Sequence, residues 1–175
     1  VKFSFRVRAR DKVGNLEPYQ EVGQANACVT VDISPPPPVT ELFAQSRPKG
    51  AIELTWKAAV DPVSGTAFYR VYRWIEGEAR HCVSRDGEVN GVGFKDLGEG
   101  LRDGVSYHYC VQPVDRMGNE QHEGNATACA VSDHQVGTPT LACPSHASGH
   151  WSATREALFT WLPPVDATGV DGYYY

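Results

Sequence analysis

Four side chains with transition-metal chemistry lie near one another in the sequence: His134, Cys143, His146 and His150. Cys143-x-x-His146 and His146-x3-His150 are spacings a zinc loop can use, because each brings two donors within reach of one tetrahedral ion. The plainer reading is favoured: Cys143 belongs to a strand, and the histidines belong to a solvated loop before Trp161. Two acidic turns, Asp11-Lys-Val-Gly-Asn15 and Asp115-Arg-Met-Gly-Asn119, pair a carboxylate with a Gly-Asn closure. Calcium needs about six or more oxygens and each turn supplies few, whereas Asp opening a turn closed by Gly-Asn is ordinary hairpin chemistry. No metal and no cofactor is expected. No nucleophile comes with an orienting base and a charge-stabilising partner, so no catalytic residue is assigned and the chain is read as a non-enzyme.

Aromatic side chains are the other site candidates, since an exposed ring can stack on a sugar. Tyr72, Trp74, Tyr173, Tyr174 and Tyr175 are the residues such a reading needs. If Tyr69 and Val71 face inward, Tyr72 and Trp74 share the outer face of their strand, where cross-strand packing is the commoner role. Trp151, in the histidine loop, is expected to cover the end of the fold. Asn125-Ala-Thr127 is a formal glycosylation sequon, read as incidental.

Composition narrows the class. The 175 residues carry 16 basic and 21 acidic side chains, a net charge of -5 that offers no field for nucleic acid or an anionic membrane. With 41% of residues in the hydrophobic set, 17 Gly and 12 Pro, the chain should fold into a turn-rich globular structure. No apolar run approaches the roughly 20 residues that span a bilayer. Residue 1 opens inside strand-like sequence, which reads as an excerpt of a longer protein. Five cysteines (Cys28, Cys82, Cys110, Cys129 and Cys143) include no C-x-x-C pair, so disulfides in an oxidising compartment outside the cytoplasm are expected.

What positions these residues emerges from a repeat. Phe5 to Asn15 lines up with Tyr109 to Asn119 at an offset of 104, and Ala27-Cys28-Val29 with Ala128-Cys129-Ala130 at 101. Leu54-Thr-Trp56 matches Phe159-Thr-Trp161 at 105, and Gly65 to Val71 matches Gly169 to Tyr175 at 104. Such a period is one domain long. The chain therefore divides into the closing strands of one module (1–34), a complete module (38–134) and the opening strands of a third (138–175). Pro35 to Pro38 and Val136-Gly-Thr-Pro139 punctuate the joins, because proline runs are stiff and cannot donate into a sheet. Ala51 to Trp56, Tyr69 to Trp74 and Tyr107 to Val111 alternate apolar and polar residues, the pattern of half-buried strands. Helices should be nearly absent. Short strands punctuated by turns point to an all-β, antiparallel seven-strand sandwich.

Leu-Thr-Trp56, Ser64-Gly65 leading to Tyr69-Arg-Val-Tyr72, Phe94-x-Asp96-x-Gly98, Leu101-x-Asp-Gly104-x-x-Tyr107-x-Tyr-x-Val111 and Val114-Asp-x-x-Gly-Asn119 follow one another in a familiar order. In this order the sequence resembles the fibronectin type III domains that occur in tandem in bacterial extracellular proteins, an immunoglobulin-like fold. The resemblance implies a three-strand sheet facing a four-strand sheet. It puts Trp56, Tyr69, Tyr107 and Val111 in the core, Trp161 in the core of the third module, and makes Tyr107 a corner tyrosine bonded back to backbone. It also implies a Cys82–Cys110 bridge, while adjacency of the last two strands leaves Cys110–Cys129 open. The first is preferred, because Cys28 repeats Cys129 although Arg6 stands where Cys110 would. Cys110 itself should point out to solvent, opposite Tyr107, Tyr109 and Val111.

The fold implies no chemistry of its own. The leading expectation is a structural, spacer or adhesive segment at the cell surface, or part of a filament completed by strand addition. An accessory module of a secreted polysaccharide-degrading enzyme is the alternative. The partners expected are other modules of the chain or neighbouring copies, with surface glycans or proteins as further candidates, and neither nucleic acid nor membrane insertion.

Overall fold

The computed structural model describes residues 1–18, 27–84, 88–97, 100–146 and 149–174. Gly98 and Tyr175, two residues named above, lie outside them. Apart from a 3-10 turn at Pro48–Gly50, the described residues form strands and loops, and every strand pairing is antiparallel.

The middle of the chain carries two sheets. β3 (Leu42–Ser46), β4 (Ile52–Trp56) and β7 (Gly93–Asp96) form one, in the order β3-β4-β7. β5 (Thr66–Trp74), β6 (His81–Cys82), β8 (Val105–Asp115) and β9 (Thr127–Ser132) form the other, in the order β6-β5-β8-β9. Period-two alternation decides what lies between them. Ile52, Leu54 and Trp56 from the first sheet meet Tyr69, Val71, Tyr107, Tyr109 and Val111 from the second in one buried cluster. Each such side chain contributes about 1.5–3 kcal/mol by leaving water. Trp56 and Tyr69 meet edge to face at 5.3 Å, and the Tyr69 hydroxyl accepts the Ala59 N–H at 3.0 Å. Tyr107 Oη accepts the Arg102 N–H at 2.8 Å, which ties the turn before β8 to the strand. On the buried end of the sandwich, Gly50 is required: its φ is +73°, and a Cβ there would stand 2.3 Å from His134 Nε2.

Two small hairpins flank these sheets. β1 (Lys2–Phe5) pairs with β2 (Ala27–Thr30), and β10 (Thr140–Ala142) with β11 (Thr160–Leu162). All residues of these four strands are exposed. The repeat leads one to expect a third strand near Gly169, matching β5, but residues 169–174 form none. A strand is held by a partner, and no strand pairs with this segment among the described residues. Trp161 is likewise corrected. It is 45% exposed and touches Tyr173 at 5.4 Å, because no opposing sheet among the described residues covers it.

The proline run docks onto the middle sheets. Pro36 is fully buried, Val39 N–H donates to Asn125 Oδ1 at 3.0 Å, and Ala126 N–H donates to Val39 O at 2.7 Å.

Candidate functional site

The two acidic turns have the same internal geometry. Asp11 Oδ1 accepts the N–H groups of Val13 and Asn15, and Asp115 Oδ1 accepts those of Met117 and Asn119. In each, the Asn side chain donates to the other carboxylate oxygen at 2.7 Å. Asn15 holds the Asp11 carboxyl below its ordinary range, through its side chain and its backbone N–H. For Asp115 burial pushes upward, yet the Asn119 side chain and the N–H groups of Asn119 and Met117 outweigh it and hold that carboxyl low as well.

Their surroundings differ. Asp115, at the end of β8, is buried and converges with two more carboxylates: one oxygen each of Asp32, Asp61 and Asp115 lies within 4.8 Å of the others. Asp61 stands in the β4–β5 loop because its Oδ1 accepts the N–H groups of Val63, Ser64 and Gly65 at 2.7, 2.8 and 3.0 Å. Burial and the neighbouring Asp115 push the Asp61 carboxyl up, but those three N–H groups hold it below the ordinary range. Asp32 comes from the segment between β2 and the proline run. The Ser34 N–H donates to its Oδ1, and the Asn119 amide reaches its backbone oxygen at 3.3 Å. None of the three carboxylates is in an ion pair with a described residue. Arg116, whose guanidinium lies over Gly65, is exposed.

Asp32 and Asp61 escaped the sequence reading. The signal that could have found them is the repeat, because Asp32 recurs as Asp133 at the 101 offset and Asp61 as Asp166 at 105. That second pair also meets: Thr168 Oγ1 donates to Asp133 Oδ2 and lies 3.3 Å from Asp166 Oδ1.

The residues singled out from sequence fall elsewhere. His134 sits against the end of the middle sheets, with Nε2 near Leu101 O at 3.1 Å and Ser132 Oγ at 3.2 Å. His146 Nε2 lies 3.0 Å from Thr154 O, Cys143 Sγ sits 3.7 Å from Ser145 Oγ, and these side chains do not converge with His150 into a ligand group. Trp151 is corrected too. It is fully exposed and covers nothing, because the Ser145 and His146 hydrogen bonds to Leu158 and Thr154 close the loop on itself. On the outer face of β5, Trp74 stacks on His108 at 5.6 Å with Arg80 4.5 Å above its ring, and the Tyr72 hydroxyl donates to Glu120. Glu120 also pairs with Arg70. These rings are occupied by cross-strand partners. Asn125 spends its side-chain N–H on Gln121 O at 2.8 Å, so the sequon nitrogen is committed to the fold.

All five cysteines are free thiols. The Cys82–Cys110 bridge is ruled out by register, since both face Tyr72 from opposite sides of β5. Two strand spacings put their backbones about 9–10 Å apart, beyond the roughly 7 Å a bridge spans. Cys129 faces His108 instead of Cys110, a diagonal offset that no bridge closes here. Cys110 does stand on the outer face, but it is buried there between Tyr72 and Thr127, and burial pushes its thiol pKa up.

A last feature is an open hollow of about 570 Å³ against the β10–β11 hairpin, lined by Pro139, Leu141, Phe159, Trp161, Tyr173 and Tyr174.

No family model and no curated protein matches the chain. Solved structures resemble it at low identity. A β-1,2-glucanase from Parabacteroides distasonis is 22% identical, with TM-score 0.43, over 59% of this chain and 14% of that one. Pectate lyase Pel3 from Pectobacterium carotovorum is 15% identical, with TM-score 0.39, over 60% and 31%. The FN1–FN3 domains of chicken CNTN1 are 15% identical, with TM-score 0.42, over 89% and 60%. The chain thus spans under two thirds of each of these structures.

Proposed function

We propose that this chain is a non-catalytic spacer length of a multi-module extracellular protein. Residues 38–134 form a complete fibronectin type III-like sandwich of seven strands, and residues 1–34 and 138–175 are the closing and opening strands of its neighbours. The observation that carries this reading is the agreement between the repeat and the strands. β4 shifted by 105 overlaps β11 at Thr160 and Trp161, and β2 shifted by 101 falls inside β9. Docking of the proline run, through Pro36 and the Val39–Asn125 hydrogen bond, supports a stiff joint between units. Its partners are adjoining modules or neighbouring copies. Small-angle scattering tests the reading: a string of units gives a radius of gyration well above the roughly 16 Å of a compact 175-residue globule, and a value near 16 Å rejects it.

The second reading, an accessory module of a polysaccharide-degrading enzyme, draws on the open aromatic hollow beside Trp161. Affinity electrophoresis through gels containing soluble polysaccharides separates the two. Retardation that Trp161→Ala removes favours the accessory role, and unchanged migration favours the spacer.

A further inference from the structure

We propose that Asp32, Asp61 and Asp115 form a calcium site that locks the incoming linker onto the loops of the middle module. Three observations lead there. First, one carboxylate oxygen from each lies within 4.8 Å of the other two. Two oxygens bound to one Ca²⁺ at about 2.3–2.6 Å can be at most about 5 Å apart, so this spacing is that of ligands around one ion. The donors are all carboxylate, with no His or Cys among them, which selects a hard cation over zinc or copper.

Second, one of these oxygens has nothing else to do. Asp32 Oδ2 is fully enclosed and has no hydrogen-bond partner among the described residues, while the other oxygen of that carboxylate accepts the Ser34 N–H. A buried anionic oxygen without a donor is costly, and a bound cation removes that cost. Asp61 and Asp115 are themselves buried, while the Arg116 guanidinium, beside Gly65 of the Asp61 turn, pairs with none of the three.

Third, the arrangement recurs. At the next join Asp133 and Asp166 meet around Thr168. Arg47 and Lys49 line the same hollow there, so the second join is less anionic and calcium is assigned to the first alone. Where the turns alone offered too few oxygens, the fold supplies the missing ones from three separate segments. The remaining coordination positions are filled by water. Calcium suits the site better than magnesium, which demands a near-ideal octahedron and keeps most of its water.

The ion would bridge the linker (Asp32), the β4–β5 loop (Asp61) and the end of β8 (Asp115). Binding would restrict the joint without adding any catalytic chemistry, and it is independent of whether the chain acts as a spacer.

Calorimetric titration of the chelator-treated 175-residue chain with CaCl₂ at constant ionic strength is the test. One site is expected, with Kd of about 10⁻³ M or tighter, the range of extracellular modules. Asp32→Asn should weaken it at least about tenfold, as the loss of one charged ligand does. It lies on the linker outside the sheets, and near-ultraviolet circular dichroism shows that the module remains folded. Asp61→Asn should weaken it similarly, while the distant Glu78→Gln and the paired change Asp133→Asn with Asp166→Asn should leave it intact. The proposal is overturned by an absence of calcium heat, by equal response to MgCl₂, by calcium binding that survives Asp32→Asn with Asp61→Asn, or by loss of the site in the Asp133/Asp166 variant.

Discussion

Trp56 and Trp161 occupy the same place in the repeat, 105 residues apart and each preceded by Thr on a strand. Trp56 is 5% exposed and Trp161 is 45% exposed. The difference lies across from them. β4 faces β5 and β8, whose Tyr69, Val71, Tyr109 and Val111 close over it, whereas among the described residues β11 pairs with β10 alone and leaves an aromatic hollow. The first hairpin gives the mirror image. Phe3 and Phe5 stand where the repeat places Tyr107 and Tyr109, yet both are exposed while the two tyrosines are buried. Alternation thus makes a strand, and a second sheet makes a core. A hairpin alone is marginal in water, since ordering costs about 1.5 kcal/mol per residue.

The sharpest way to break this comparison is amide exchange on the dilute, monomeric chain. Leu54, Val71 and Val111 should exchange only through global opening, at least about a thousandfold more slowly than unprotected amides. The amides of β1, β2, β10 and β11 should lack this protection. Equal protection at both hairpins would mean that they are self-sufficient and that the second sheet matters less than argued.

Substitution gives the next largest effect. Trp56→Ala removes a ring packed on Tyr69 and should cost about 3–5 kcal/mol in a denaturant titration. Trp161→Ala should move the same transition by under about 1 kcal/mol, the range of exposed sites. Similar losses at both positions would show that the hollow beside Trp161 is part of the cooperative unit.

This pair also marks what was legible in advance. The strand at Ile52–Trp56 and the inward set Tyr107, Tyr109 and Val111 follow from period-two alternation, and burial follows the same parity. Trp161 has the same pattern, so nothing local could reveal its exposure. Parity likewise put Cys110 on the outer face, but it could not show that Tyr72 and its neighbours bury that face. Nor could parity tell which strand lies next to which: Cys82 and Cys110 sit on the same side of the sheet with β5 between them. The acidic cluster was harder still. Asp32, Asp61 and Asp115 come from a linker, a loop and a strand end, and only the fold brings their oxygens together.

The thiols extend the comparison to the outer face. Cys110 is buried, and that burial raises its pKa, so it should resist iodoacetamide at pH 8 until the two middle sheets unfold. The exposed Cys28, Cys82 and Cys129 should be labelled in the folded chain. Mass spectrometry of timed digests reads the difference, and early labelling of Cys110 would show that the face opens locally.

The smallest effect separates the twin turns. Asp11 and Asp115 both have folded pKa values below the ordinary one near 3.8. A depressed carboxylate stabilises the folded state above its unfolded pKa, and that contribution is lost as pH falls through the folded value. For Asp115 the lost stability belongs to the two large sheets, since its turn closes β8. For Asp11 it belongs to a turn that nothing large rests on. Asp115→Asn should therefore lower the stability of these sheets near neutral pH and make its decline below about pH 4 shallower. Asp11→Asn should leave both unchanged. Chelator must be present throughout, so that a cation held by Asp32, Asp61 and Asp115 does not enter the proton balance. If the two substitutions shift the acid transition equally, the turn matters in itself, and the burial that distinguishes its two copies has no energetic consequence.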